Sequence, residues 1–229
     1  MDFDFDLGFD LGGLADMLGD NARTETSAEL EKPLRYDRKG IKHREYINGL
    51  KRQSLTDLIP VLPPPDTDLY IIGNGSGGTY RPSQQNPVAH EFGHYLEVLI
   101  DQLGGQGCIA WVSSWTMARA HALNMLAMLD SGKLAKLTVF SDSYFLRRES
   151  AVANTLVMGL RERGQTFLAF KNHTKIIAVA SADGTRTACV LGSANLSSQP
   201  RAENYTVSTD LGLYEFLRDE FFGAMLNGK

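Results

Sequence analysis

Cysteine is scarce in this chain of 229 residues: Cys108 and Cys189 are the only two. That excludes a disulfide framework and a thiolate zinc site. Both lie in apolar runs, which predicts buried thiols and a reducing, cytoplasmic setting. Long hydrophobic runs are also missing. None approaches the roughly 18 residues needed to span a bilayer, so no membrane partner is expected. A basic excess is absent, with 23 Lys and Arg against 27 Asp and Glu and a net charge of −4. This excludes a coat protein that holds nucleic acid by global charge, but leaves room for a local basic groove. The first twenty residues hold no Lys or Arg and six Asp, which is not the start of a signal peptide. No internal repeat is visible.

What is present is ordinary globular composition, 43% hydrophobic and 22% charged, and a length that suits one large domain or two small ones. Three zones stand out. Residues 1–30 begin with an acidic stretch in which Phe3, Phe5, Leu7 and Phe9 alternate with acids or Gly. It reads as a disordered tail, or as a peptide that docks on a partner groove or on a basic surface of the same chain. Residues 31–65 form a basic arm and linker. Between 31 and 52, eight basic residues, among them Lys39, Lys42 and Arg44, stand against three acids, with Tyr36 and Tyr46 interleaved. Such a segment is either a solvated, partly helical arm or a grip for phosphates and bases. Pro60, Pro63, Pro64 and Pro65 stiffen its end and predict a domain boundary near residue 66.

From 66 to 229 strands and helices alternate. Strands are expected at 68–72, 108–112 and 137–140, and helices at 88–103, 118–129 and 149–163. Three strands then follow closely at 167–170, 175–180 and 187–191, with a further strand at 204–209 and a closing helix at 213–226. This pattern predicts an α/β domain, a mixed β-sheet flanked by helices.

Three segments carry candidate chemistry. The Gly-rich loop at 73–78 (GNGSGG) follows a strand, as a phosphate-cradling loop does. However, no Gly-Lys-Ser/Thr follows, and Pro82 and Pro87 delay the helix, so a mobile turn is the better reading. His90-Glu91-Phe92-Gly93-His94 is formally H-E-x-x-H, which on a helix offers two zinc ligands and a general base. A metalloprotease needs a third ligand. Glu97 and Ile100 stand where the extended zinc pattern would put its Gly and last His, and the solvated face of an amphipathic helix accounts for the segment equally well.

The third segment is the most specific. His173-Thr174-Lys175 precedes an apolar strand, then a turn at Asp183-Gly184, a second strand, Gly192-Ser193-Ala194-Asn195-Leu196-Ser197, and Arg201-Ala202-Glu203-Asn204. On a strand, His173 and Lys175 would project to one face, and Ser193 and Asn195 could meet them from the next strand. An imidazole, an ammonium, a hydroxyl and a carboxamide would then converge on a small anion.

These residues resemble the phospholipase D-like superfamily, marked by H-x-K, a strand, a turn and G-S-x-N. The likeness is confined to 173–204. The family's Asp five residues after the Lys is Ala180 here, with Asp183 three residues on. The resemblance implies a metal-independent phosphodiesterase without a cofactor. His173 would be the nucleophile, Lys175 and Asn195 would stabilise charge, Ser193 would position phosphate and Glu203 would orient a histidine. Since the chain holds one H-x-K, it also implies a homodimer that completes the site. The small size and the basic arm favour nucleic acid as the substrate. The alternatives are a non-catalytic nucleic-acid-binding or interaction protein on the same fold, and the zinc metalloprotease built on His90 and His94.

Overall fold

The computed structural model describes residues 43–48, 61–65, 67–74, 92–197 and 202–228. All of them belong to one compact unit, Tyr36–Lys229. The acidic tail, Lys39, Lys42, the Gly-rich loop beyond Asn74, and His90 and Glu91 lie outside the described residues.

The unit is an α/β domain built on a mixed sheet that has eight strands among the described residues. In chain order these are β1 (His43–Asn48), β2 (Thr67–Asn74), β3 (Cys108–Ser114), β4 (Leu134–Asp142), β5 (Thr166–Phe170), β6 (Ile176–Ala180), β7 (Thr187–Gly192) and β8 (Ala202–Ser208). Their spatial order is β1-β2-β8-β7-β6-β3-β4-β5. β1 and β2 pair parallel, as do β3, β4 and β5, while β2, β8, β7, β6 and β3 join antiparallel. The sheet thus takes its first strand from the segment read as a basic arm. Tyr46 and Ile47 are good strand formers, and a strand at the sheet margin needs only one neighbour.

Helices α1 (Phe92–Gln102), α2 (Arg119–Asp130) and α4 (Ser150–Glu162) cover one face. Leu99, Met125 and Leu156 pack there with Ala110, Val112, Val139, Ile177, Val179 and Val190. The opposite face carries Trp111, Phe140, Ile176, Ala178 and Cys189 beneath the C-terminal helix. Because both faces are covered, the central strands read as continuous apolar runs rather than as alternating ones. Cys108 and Cys189 are buried thiols in opposite layers, so they do not form a disulfide with each other.

Three local features differ from the expectation. A short helix, α3 (Ser143–Arg148), follows β4 directly. The closing helix comprises α5 (Leu211–Phe216), a π-helical turn (Leu217–Gly223) and α6 (Ala224–Leu226). The wide turn brings the consecutive Phe221 and Phe222 both onto Phe140, at 5.8 and 4.7 Å between ring centroids. The third difference concerns His173 and Lys175, which precede β6 rather than lying in it. Among the described residues, no helix is long and apolar enough to cross a membrane.

Candidate active site

The strand directions bring the carboxyl ends of β2, β3, β4, β5 and β7 and the amino ends of β6 and β8 to a single edge of the sheet. Loops at such an edge are where α/β sheets place ligands. His173 and Lys175 lead into β6 here, Ser193 and Asn195 follow β7, and Glu203 is the second residue of β8.

Lying outside the strand changes the geometry of the H-x-K segment. The backbone is held, since the Gly192 amide donates to the Lys175 carbonyl at 3.1 Å. The two side chains part company. His173 is exposed, whereas Lys175 is 7% exposed. Lys175 folds back, its Nζ 2.8 Å from His173 Nδ1 and 2.7 Å from the His173 carbonyl oxygen. A protonated lysine can only donate, so Nδ1 accepts while Lys175 carries its charge. Burial pushes the Lys175 amine below its ordinary value, and the Glu203 charge partly opposes this.

Ser193 donates its hydroxyl proton to Glu203 Oε2 and accepts from the Asn204 amide at 3.0 Å. Glu203 therefore engages Ser193 and acts on Lys175 through its charge; among the described residues its hydrogen bond is to a hydroxyl and not to a histidine. Asn195 is half-buried. Its Oδ1, like Ser197 Oγ, is buried without a hydrogen-bond partner among the described residues. The loop that carries them is pinned on β3 and its exit: Ser114 Oγ accepts from the Leu196 amide at 3.0 Å, and the Ala118 amide donates to the Leu196 carbonyl. Gly192 is needed at the start of this loop. A Cβ there would come within 2.9 Å of the Tyr205 ring and 3.2 Å of the Asn204 carbonyl oxygen.

A set of polar residues that the sequence did not single out fixes the H-x-K segment from below. Asn172 Nδ2 donates to Ser113 Oγ at 2.8 Å, Ser113 Oγ meets Thr174 Oγ1 at 2.6 Å, and Thr174 Oγ1 donates to Asn172 Oδ1 at 2.8 Å. The three side chains close a cycle in which every group is satisfied. Asp142 adds a second clamp: one carboxylate oxygen caps α3 at the Tyr144 amide (2.7 Å), and the other accepts from the Asn172 amide (2.8 Å). The sequence signal for this was Asp142 standing directly before the apolar residues of α3, a helix-start pattern. Asp142→Ala removes the cap and orphans the Asn172 amide. It should lower stability by roughly 1–2 kcal/mol and speed hydrogen exchange at Asn172, measured by denaturation and amide exchange.

Ala180 and Asp183 sit at the other end of β6. Ala180 is buried beneath the C-terminal helix. Asp183 organises the β6–β7 turn, accepting from Ser181 Oγ at 2.6 Å and from the Thr185 amide at 3.1 Å. These bonds, that from Ser181 foremost, hold its carboxyl down at about 2. Asp183 is a turn residue, one strand length from His173.

His94, in the H-E-x-x-H segment, packs edge-on against His121 with ring centroids 5.6 Å apart. Gly93 is the point of closest approach, because a Cβ there would fall 2.1 Å from His121 Nδ1. Helix crossing thus accounts for the glycine in this motif. Among the described residues no group of three or more His, Cys, Asp or Glu is placed to hold a metal ion. Arg44 lies near the start of β1, paired with Asp68, at the opposite end of that strand from the site edge.

No protein-family model matches the chain, and no curated protein matches it. Among solved structures the fold is similar to that of polyphosphate kinase from Porphyromonas gingivalis, with a TM-score of 0.47 and 13% identity over 60% of this chain. The match spans 24% of the kinase. A likeness at that level says nothing about activity.

Proposed function

We propose that this protein is a phospholipase D-like phosphodiesterase acting through a phosphohistidine, with nucleic acid as its substrate. One observation carries the reading: a buried lysine is held against the ring of an exposed histidine, at the sheet edge where the Ser193–Glu203 pair also lies. Burying an ammonium is costly without recompense. A site that must meet an anion next to a nucleophile supplies the reason to keep it.

Phosphate binding draws the Lys175 N–H groups from the imidazole to the phosphoryl oxygens. A nitrogen of His173 then uses its lone pair to attack phosphorus. The P–N bond forms as the P–O bond to the leaving alcohol breaks, and the alkoxide takes a proton from a second histidine. Lys175 and Asn195, whose Oδ1 has no hydrogen-bond partner among the described residues, stabilise the developing charge, the asparagine through its Nδ2 donor. Water then attacks the phosphohistidine, giving its proton back to the second histidine. A phosphomonoester leaves and His173 is restored. The net change is diester plus water to monoester plus alcohol. Imidazole and ammonium supply the nucleophile and the charge, so no metal is called for.

The second histidine is His173 of the partner subunit in a homodimer. Nucleic acid is favoured by the basic segment at 31–52, of which Lys39 and Lys42 are the phosphate contacts we propose; Arg44 would serve a strand passing the far end of β1. The test is hydrolysis of a small chromogenic phosphodiester. Turnover that a chelator leaves unchanged supports the reading, and no turnover of any diester overturns it. Mixing equal amounts of wild-type and His173→Ala chains adds a second check. With random exchange roughly one quarter of dimers carry two histidines, so activity per wild-type chain should fall by half. Activity proportional to wild-type chain would show that each chain works alone.

A further inference from the structure

We propose that Trp115 and Tyr144 form a seat for an unpaired nucleobase, so that the substrate of this site is a single-stranded nucleic acid. This rests on the phosphodiesterase reading above and names what it acts on.

Trp115 follows the carboxyl end of β3, and Tyr144 lies in the first turn of α3 after β4. Both therefore stand at the site edge. Their rings are nearly parallel, 10° apart with centroids 5.7 Å apart. The Trp115 ring is 5.8 Å from that of His173. Tyr144 is 43% exposed, and the Arg148 guanidinium sits over its ring at 5.9 Å while also pairing with Glu149 at 3.5 Å.

A single exposed aromatic needs no explanation. Here, however, two stacked rings run outward from the candidate nucleophile and end at a cation. Neither belongs to the buried aromatic cluster of Trp111, Phe140 and Phe222. A flat π-surface beside a phosphate-handling pair suits a group that is itself flat and joined to a phosphate through a sugar. A nucleobase fits this, and stacking on aromatic side chains is tolerant of sequence. Duplex bases are already stacked on one another, so the base must be unpaired. An acyl chain has no π-face and gives no use to parallel rings capped by a guanidinium. Arg148 lies close enough to the seat to meet the neighbouring phosphate.

Tyr144 is the residue to vary, because Trp115 also touches His173. Tyr144 is exposed, and its cap is made by its backbone amide, so the fold does not depend on the ring. The experiment measures equilibrium binding of the full chain to a short labelled single strand, to the same strand abasic throughout, and to its duplex. Tyr144→Leu and Tyr144→Phe are compared with wild type. The proposal expects wild type to lose about 10- to 100-fold in affinity on the abasic strand, as stacking of roughly 1–3 kcal/mol requires. Tyr144→Leu should weaken the intact strand by about 10-fold and the abasic strand hardly at all, and Tyr144→Phe should bind like wild type. Equal losses on both strands, or duplex binding as tight as single-strand binding, would each overturn it. Base-dependent binding without hydrolysis of any diester would sink the phosphodiesterase reading and leave the seat standing. Hydrolysis of a small diester together with base-independent binding would do the reverse.

Discussion

Replacing His173 by alanine should reduce phosphodiester hydrolysis by at least about 10⁴-fold, to the level left by binding and charge stabilisation alone. The imidazole combines exposure with a lysine donor at its Nδ1. Its loss should leave the fold intact. His173 is exposed, but its ring accepts from the buried Lys175 amine, so the cost should be roughly 1–2 kcal/mol, within the usual range for a lost partner of a buried polar group. The backbone of the segment is kept in place by Asp142, Asn172, Thr174 and Ser113. Steady-state kinetics and a denaturation curve on the same preparation check both halves. Wild-type turnover in the variant would mean that His173 is not the nucleophile.

Lys175→Met should separate activity from stability. Turnover should fall by about 10²–10³, the usual loss when one preorganised donor to a developing oxyanion is removed. Stability should instead rise by about 0.5–2 kcal/mol, because an apolar chain of similar length replaces a buried ammonium. The gain has a definite pH dependence. The folded-state amine of Lys175 is held below its unfolded value, so between the two values the unfolded chain binds more protons. Wild-type stability then rises with pH across that interval. The advantage of the methionine variant is therefore largest at neutral pH and shrinks as pH approaches the unfolded lysine value. An advantage that grows with pH, or a variant that unfolds more easily at pH 7, would contradict the burial account of Lys175.

The two variants test residues that were legible in the sequence, and the structure shows why those were the legible ones. β6 and β7 are apolar runs because both faces of the sheet are covered, and H-x-K and G-S-x-N flank them at fixed offsets. Contacts formed by distant segments were not visible. Ser113 and Asn172 are 59 residues apart, and nothing in either neighbourhood marks them as partners. Trp115 and Tyr144 come from separate crossovers and meet only because β3 and β4 lie side by side. Periodicity placed His173 and Lys175 together on a strand face. The strand in fact starts one residue later, and that difference is what lets the lysine fold under the imidazole. The H-E-x-x-H segment shows the opposite case. Its pattern was plain, yet Gly93 is explained by the His121 ring lying against it.

The central claim is a covalent phosphohistidine at His173. The most direct measurement is to mix the protein rapidly with a phosphodiester, quench in alkali during turnover, and locate phosphorus by mass spectrometry of peptides covering residues 171–186. The expected adduct on His173 is a phosphoryl group still esterified to the retained alcohol of the diester, stable to alkali, lost in acid, and absent from the His173→Ala chain. Turnover under the same conditions with no adduct on His173, or with the adduct on another residue, would contradict it.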